Sequence, residues 1–515
     1  MYTDYQRCNF ILRKIKPKTM KQRRYYLMGL LALFILCIQC QPPADPKDPK
    51  NDPCEYRDSL RTGTVEPRTV EGGKYPPYTP KEDSLNEEPK PYYVPNGPIR
   101  GDLKPANDPI KVVAYDPNGG ASQAISFEEY DEIGDAVNPN AVLPEPSVAE
   151  NGQTVMTTGN VWMSLSLDGG QNFTSVNPTT IFPNDYGGFC CDQVVQYVPQ
   201  YDLFVWLLQY NTSGGQNAIR IAAQNTAQVR SSNGTSWTYW DFTNNALASS
   251  GTLDYNDMSF GRTYLYWTSS IGGGANRYVI RVPLSELAAK TTVHYQFTGS
   301  TQAYWSHLTQ NGTNAVYWAG HENNSTMKVY SMRDADNFYS WRSVNINSWP
   351  NGTMSSTAAN GSNWLMDASW KTYVRGATMK GNNAVFAWNA SNNGNFPQTH
   401  VQIVEINTNT FTLASQYQIW NPDFAFAYPY IETNNENQIG IITAFGGGPY
   451  DASSGVGVWG DFVIYYPRLS SLSYTNYGHY HTTRKSGSNG MQWVSAGYTY
   501  ETGGTIQPYY VRFSH

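Results

Sequence analysis

"CCDQVVQYVPQYDLFVWLLQY", Cys190–Tyr210, is the stretch whose reading decides the fold. A polar start, Asp192-Gln193, leads into a strand of Val and Tyr, a short turn follows, and Leu203–Tyr210 is a very apolar strand that ends on an aromatic ring. Strands buried on both faces read as such near-continuous apolar runs, and turn residues bound them. Five other segments share this grammar. They are "EPSVAENGQTVMTTGNVWMSLSLDGGQNF", "YNDMSFGRTYLYWTSS", "YWSHLTQNGTNAVYWAGH", "RGATMKGNNAVFAWNAS" and "YPYIETNNENQIGIITAF". Each is followed by a further strand pair, such as "NAIRIAAQ" and "SWTYWDF". Four strands per unit over about 60 residues is the pattern of a propeller blade, in which each small twisted sheet covers its neighbour and ring closure leaves only short edges. The expectation is an all-β chain whose residues 141–515 form a six-bladed β-propeller. A pair of β-sandwich domains, which also use short strands at regular spacing, is the alternative.

Composition agrees with a β-rich chain. With 39 Tyr, 15 Trp and 44 Gly among 515 residues, and only 15% charged, it is rich in strand and turn formers and poor in the residues of exposed helices. The formal charge of -6 and a pI near 5.7 give no attraction for phosphate backbones, so nucleic acid is not an expected partner.

The segment before the repeats reads as an address and a tether. From Met20, a candidate true start, "MKQRRYYLMGLLALFILCIQCQPP" places Lys21, Arg23 and Arg24 ahead of a short apolar run that stops at Cys40, the order of an export signal. Residues 1–40 are therefore expected to be a leader, and the placement of Cys40 resembles a bacterial lipoprotein signal, which implies acylation of that cysteine and an outer-membrane or cell-surface location. Cys37 and Gln39 depart from the usual residues of such a signal, and plain cleavage or a retained anchor are the alternatives. Residues 41–110, dense in proline and mixed charge, are expected to be a disordered linker that cannot bury enough surface to offset its ordering entropy. Residues 111–140 are expected to be an ordered lead-in that adds a strand or a short helix to the body.

One turn carries a family likeness. In "SLDGGQNF", Ser166, Asp168, Gly170 and Phe173 have the Ser-x-Asp-x-Gly-x-x-Phe order of the Asp-box, and the body resembles the sialidase-like propellers that bear such BNR repeats. The physical reading is local: the Asp accepts from the backbone N–H groups ahead of it, the glycine supplies a positive φ, and the ring folds back onto the blade. "SSNGTSW" (Ser231–Trp237) and "SGSNGMQW" (Ser486–Trp493) are looser relatives. The resemblance implies a structural fastener away from any chemistry. It also implies, for an active sialidase, three carboxylate-binding arginines, one of them in an Arg-Ile-Pro-like motif ahead of the first box. No arginine lies between Arg100 and Ser166, and the nearest match, "IRVP" at Ile280–Pro283, falls too late, so sialidase activity is not expected.

A propeller gathers the starts of its innermost strands at one mouth. Those starts give Glu145, Asp192, Gln193, Asp257, His307, Arg375 and Tyr428 as candidates for a binding or catalytic funnel. Crowded carboxyls there would separate their pKa values, as acid and base work on a glycoside requires. The competing reading is that these polar groups only satisfy the backbone of neighbouring blades. Cys190 and Cys191 are candidates for a bond between neighbours that fixes the turn before Asp192; two reduced thiols, or a bridge from one of them to Cys54, are the alternatives. His479 and His481 would share a strand face, but no third ligand stands at metal-site spacing, so neither metal nor cofactor is indicated, with calcium in a turn left open. Three functions follow as expectations: a surface propeller that recognises glycans or other extracellular polymers at its funnel, a glycoside hydrolase or lyase using funnel carboxylates, and a non-catalytic structural or adhesive module. The oligomeric state is not legible.

Overall fold

The computed structural model describes residues 55–80, 94–101, 104–119, 123–133, 144–271, 277–365, 372–473, 477–478 and 480–515. The leader with Cys40, and Cys54 of the segment that follows it, lie outside these residues. Tyr56–His515 form one compact unit.

The described residues form seven sheets of four or five strands, not six. Their innermost strands are Ser147–Asn151, Phe189–Val198, Leu253–Phe260, the irregular stretch 306–310, Gly376–Lys380, Ala425–Thr433 and Thr482–Lys485, which number the blades one to seven; in blade four Thr309 N bonds the Tyr317 carbonyl, so Ala315–Asn323 is the second strand. Side-chain and backbone bonds between neighbours close the ring. Ser147 Oγ accepts from Val195 N (3.1 Å), Gln209 donates to Asp254 (3.0 Å), and Ser259 Oγ donates to the Thr309 carbonyl (2.8 Å). Gln310 N then bonds the Ala377 carbonyl, Thr433 N bonds Thr378 Oγ1 (3.0 Å), and Trp493 Nε1 bonds the Glu432 carbonyl (2.8 Å). Thr482 Oγ1 donates to the Pro146 carbonyl at 2.9 Å and joins the seventh blade to the first. This is a β-propeller, and the alternative of two sandwiches falls.

The blade missing from the sequence count is the seventh. Its innermost strand is only "TTRK", and its buried second strand, Trp493–Tyr500, carries Ser, Gly and Thr among its aromatic residues in place of a continuous apolar run. Its fourth strand is also supplied from far upstream: Ser126–Glu132 pairs antiparallel with Ile506–Ser514 and locks the two ends of the ring into one sheet.

The linker expectation is corrected as well. Tyr56–Ser59, Arg61–Val65 and Arg68–Val70 are strands that cover the outer edges of blades four, three and two in turn, and Lys111–Ala114 runs parallel along blade six. The chain is thus a belt around the ring. Most of its residues are exposed, with Val65 and Val70 turned onto the core, since they bind mainly through backbone groups to edges that would otherwise stand unpaired. Composition misleads there because edge pairing needs no apolar side chains.

Between blades the core is aromatic. Trp206, Trp240, Trp267, Trp318, Trp388 and Trp493 are fully buried, each worth roughly 2–3 kcal/mol of transfer free energy. Outside that core, the Ser166–Phe173 turn joins the third and fourth strands of blade one, Met163–Ser166 and Thr174–Val176. Ser166 Oγ donates to Asp168 (2.7 Å) and accepts from Gly170 N (2.9 Å), while Asn172 donates to Asp168 from both its backbone (3.0 Å) and its side chain (2.8 Å). Gly170 sits at φ 103°, and Phe173 meets Tyr510 edge-on at 5.9 Å. Ser231–Trp237 occupies the same place in blade two, whereas Ser486–Trp493 joins the first and second strands of blade seven.

Candidate binding funnel

Six of the seven innermost strands are entered through an irregular step. Glu145 (φ 41°), Tyr255 (φ 52°), Trp305 (φ 38°) and Tyr428 (φ 57°) all lie in the left-handed region, and Gly478 (φ 98°) precedes the seventh. Bulges follow at Asp254–Asp257 and Ala427–Tyr430. In blade two the register shifts on both sides of Cys191, where Cys190 and Cys191 are bonded to each other; this disulfide occupies the bulge that presents Asp192. Non-glycine residues held this way cost about 1–3 kcal/mol each. Four such residues at equivalent entrances, all bulky or charged, mark the place where the fold gives up stability to aim side chains.

Those side chains form an aromatic floor and an acidic rim. Tyr255 is sandwiched between Trp305 (4.6 Å, 18°) and Tyr480 (5.0 Å, 28°), and Tyr373 stands edge-on to Tyr255 and Trp305, both at 5.5 Å. The Tyr255 and Tyr373 hydroxyls bond at 2.9 Å. On the rim, Tyr480 Oη donates to Asp192 at 3.1 Å, Asp192 is hydrogen-bonded to Glu145, and Asn160 donates to Glu145 at 3.0 Å. Burial, then the nearby charge of Asp254, pushes the Asp192 carboxyl up to about 6, against the pull of its bonds to Glu145 and Tyr480. Burial raises the phenols of Tyr255 and Tyr480 well above their ordinary range, so both remain protonated donors.

One layer deeper lies a charged tier. Asp257 Oδ1 is 3.4 Å from His307 Nδ1, and Asp257 Oδ2 accepts from Leu308 N at 2.7 Å. Burial works to raise Asp257, but His307, Arg484 and the Leu308 N–H outweigh it and hold the carboxyl down at about 2. Burial lowers His307, assisted by Arg277 and Arg375 and opposed by Asp257, so the ring is neutral with Nε2 unpartnered. Arg375 donates to Tyr430 Oη (3.1 Å), to the Gly478 carbonyl (3.2 Å) and to Tyr373 Oη. Further down the axis, burial raises Glu432 to about 7 against the opposing charges of Arg484 and Lys485, and Gln196 and Gln310 bond across the channel at 2.9 Å.

The seven candidates from sequence therefore divide. Glu145 and Asp192 stand on the rim. Asp257, His307 and Arg375 belong to the deeper tier, and Tyr428 packs behind Arg375, its ring 4.8 Å from the guanidinium. Gln193 turns away, donating to the Gly159 and Trp162 carbonyls (2.6 and 2.9 Å) and accepting from Trp206 Nε1 (2.9 Å), which ties blade one to blade two. Asp254, Tyr255, Trp305, Tyr373 and Tyr480 were not read. A signal existed: Tyr255, Trp305 and Tyr373 each lie two residues before the chosen Asp257, His307 and Arg375. His479 lies outside the described residues; its proposed partner His481 is buried against Tyr498 and lowered by burial to about 3. Among the described residues no group of three or more His, Cys, Asp or Glu side chains is placed to hold a metal.

No family model matches the chain, and no curated protein matches it. Solved structures do. A protein of unknown function from Dyadobacter fermentans is 10% identical with a TM-score of 0.38, over 76% of this chain and 99% of that one. An α-L-arabinanase from Penicillium chrysogenum, complexed with arabinobiose, is 10% identical with a TM-score of 0.32, over 74% and 96%. A subtype N10 neuraminidase-like protein from a little yellow-shouldered bat isolate is 8% identical with a TM-score of 0.32, over 62% and 95%.

Proposed function

We propose that this chain is an exported surface propeller that recognises glycans or other extracellular polymers at the funnel, held to the membrane by acylation of Cys40 and built on the sialidase-like, Asp-box plan. The observation that carries the reading is the floor of Tyr255, Trp305, Tyr373 and Tyr480 beneath the Glu145–Asp192 rim. Aromatic faces pack on the apolar faces of sugars, and carboxyl and phenol groups beside them accept and donate to hydroxyls. The strained entrances support it, because they keep those groups aimed before a ligand arrives.

Recognition is favoured over hydrolysis by distance. The carboxyls of a retaining glycosidase stand about 5–5.5 Å apart and those of an inverting one about 6.5–9.5 Å. Glu145 and Asp192 instead share a hydrogen bond, so this pair is not spaced as either class requires. The test is a glycan array run beside a polysaccharide digestion screen, with Trp305→Ala and Tyr480→Phe as comparison proteins. Binding without cleavage, weakened in both variants, is the expected result; cleavage, or no bound polysaccharide at all, overturns it in favour of an enzyme or an adhesive module. Metabolic labelling with a lipid analogue tests the anchor, and an unlabelled Cys40 removes it.

A further inference from the structure

The end of the channel opposite the funnel carries a second concavity. Blades four and five are tied there by Gln310 N to the Ala377 carbonyl and Met379 N to the Gln310 carbonyl, and Asn311 Nδ2 reaches the Met379 carbonyl at 3.4 Å. Beyond that last bond the blades part. A groove of about 530 Å³ opens among the turn that enters Ala315–Asn323, the end of Thr326–Arg333, and the turns that follow Gly376–Lys380 and His400–Asn407. Its size lies in the range of about 300–1,000 Å³ usual for small-molecule sites.

The lining combines two chemistries. Ala315, Tyr317 and Met379 supply apolar surface, with the Tyr317 ring 6.5 Å from that of Phe411. Asn314, Asn382, Asn409 and Asn437, with Arg333, supply the polar part, and none of these five side chains bonds to another described residue. None of the residues around the groove is acidic. Turn geometry explains Asn437 (φ 61°) and Asn311 (φ 55°), since asparagine tolerates the left-handed region, but Asn314, Asn382 and Asn409 have no positive φ to account for them. Their loops are nonetheless fixed. The Asn382 carbonyl accepts from Thr408 N (2.9 Å) and Oγ1 (2.8 Å), Asn409 N donates to Asn407 Oδ1 (3.0 Å), and the Asn314 carbonyl accepts from Asp334 N (2.9 Å). At other blade boundaries of the same end the amides are spent on the protein: Asn151 donates to Thr226 (2.8 Å), Gln200 to the Gly261 carbonyl (2.9 Å) and Asn434 to the Met491 carbonyl (3.0 Å).

We propose that this groove is a second ligand site, separate from the funnel, and that it takes a neutral oligosaccharide. Each amide both donates and accepts, as sugar hydroxyls do, and the apolar surface of Tyr317 and Met379 takes the C–H face of a ring. Without a carboxylate the lining has nothing to hold a cation, and one solvated guanidinium gives an anion little advantage. Arg333 donates instead to hydroxyls. Fixed turns that hold open amides between two blades cost little to order when the ligand arrives. Sites at both ends of one channel let a single molecule hold a polymer at two points or join two chains, so avidity exceeds either affinity. The groove stands on its own observations and does not require the funnel to bind.

Calorimetry on the full chain tests it, with cellotetraose, xylotetraose and mannotetraose as neutral probes and a heparin tetrasaccharide and inorganic phosphate as anionic ones. At least one neutral tetrasaccharide should bind. Two lost hydrogen bonds predict that Asn382→Ala with Asn409→Ala weakens that event at least about ten-fold, and the melting temperature should not change, because these exposed side chains hold nothing in the fold. Asn314→Trp, which fills the groove, should abolish the same event and serves if the double variant folds poorly. Trp305→Ala, which alters the funnel alone, should leave it intact; wild type and Trp305→Ala binding alike in every respect would uphold the groove and remove the funnel. No neutral probe bound, binding untouched by the groove variants, or anionic probes bound more tightly than neutral ones would each overturn the proposal.

Discussion

Replacing Asp192 by Asn isolates the electrostatics of the rim. In the folded protein the Asp192 carboxyl titrates near 6 against an ordinary 3.8, raised by burial and by Asp254. The folded state therefore holds this proton more tightly than the unfolded chain. Stability must fall as pH rises from about 4, where the unfolded chain ionises while the folded carboxyl stays protonated, to above 6, where both are ionised. A shift of about two units at about 1.4 kcal/mol per unit comes to roughly 3 kcal/mol. Asn keeps the shape, accepts from Tyr480 and donates to Glu145, but it does not ionise. Urea unfolding from pH 4 to 8 should show the two proteins alike near pH 4 and the variant more stable by roughly 2–3 kcal/mol at pH 8. Glu432, raised to about 7, gives a slope of the same sign but is present in both proteins and cancels from the difference. Parallel stability curves across this range would refute the crowded-rim account.

Other perturbations probe the frame. Arg220→Met removes one of the two guanidiniums on Asp241, which keeps Arg68, together with the bonds from Arg220 to Tyr210 and Asp185, and should cost about 1.5–3 kcal/mol in urea unfolding. Asp168→Asn removes a carboxylate that bonds from Asn172 and Ser166 hold down near 2. Its contribution is present above the ordinary value near 4 and lost as pH falls through 2, and because the turn is solvated the loss at pH 7 should stay below about 1 kcal/mol. A chain shortened to begin after Val70 uncovers the outer edges of blades two, three and four; it should melt lower and self-associate by light scattering, while an unchanged melting temperature would deny the belt a structural role.

The apolar second strands, such as Leu203–Tyr210 and Ile439–Gly447, were legible because burial on both faces leaves no polar alternation to confuse. The innermost strand of blade seven was not, since Thr482–Lys485 lines the axis and carries the charges that meet Glu432. The belt was illegible for the opposite reason: backbone pairing at an edge places almost no demand on side chains, so Tyr56–Val70 has the composition of a linker and the structure of a border. At the funnel, strand starts led to Glu145 and Asp192 on the rim and to Asp257, His307 and Arg375 one tier deeper, and passed over the aromatic residues between them. A bulge shifts register without leaving a composition signal, and positive φ at Tyr255 and Trp305 contradicts the preference of aromatic residues, so propensity points away from the very positions that form the floor.

That contradiction is what separates the funnel from the rest of the axis. Lower down, Gln196, Gln310 and Thr378 face the channel from regular backbone and spend their polar groups on one another, as packing alone requires. At the mouth, Glu145, Tyr255, Trp305 and Tyr428 are strained, a disulfide pins the bulge at Asp192, and two guanidiniums and an imidazole keep nitrogens without partners. Packing would select against each of these features singly, since glycine at the entrances and a salt bridge or an apolar side chain at the arginines would all be more stable. Their coincidence at one end of one channel is explained if the side chains are held for a molecule that is not part of the chain, and Tyr480→Phe discriminates because it should weaken the binding of that molecule and keep the fold.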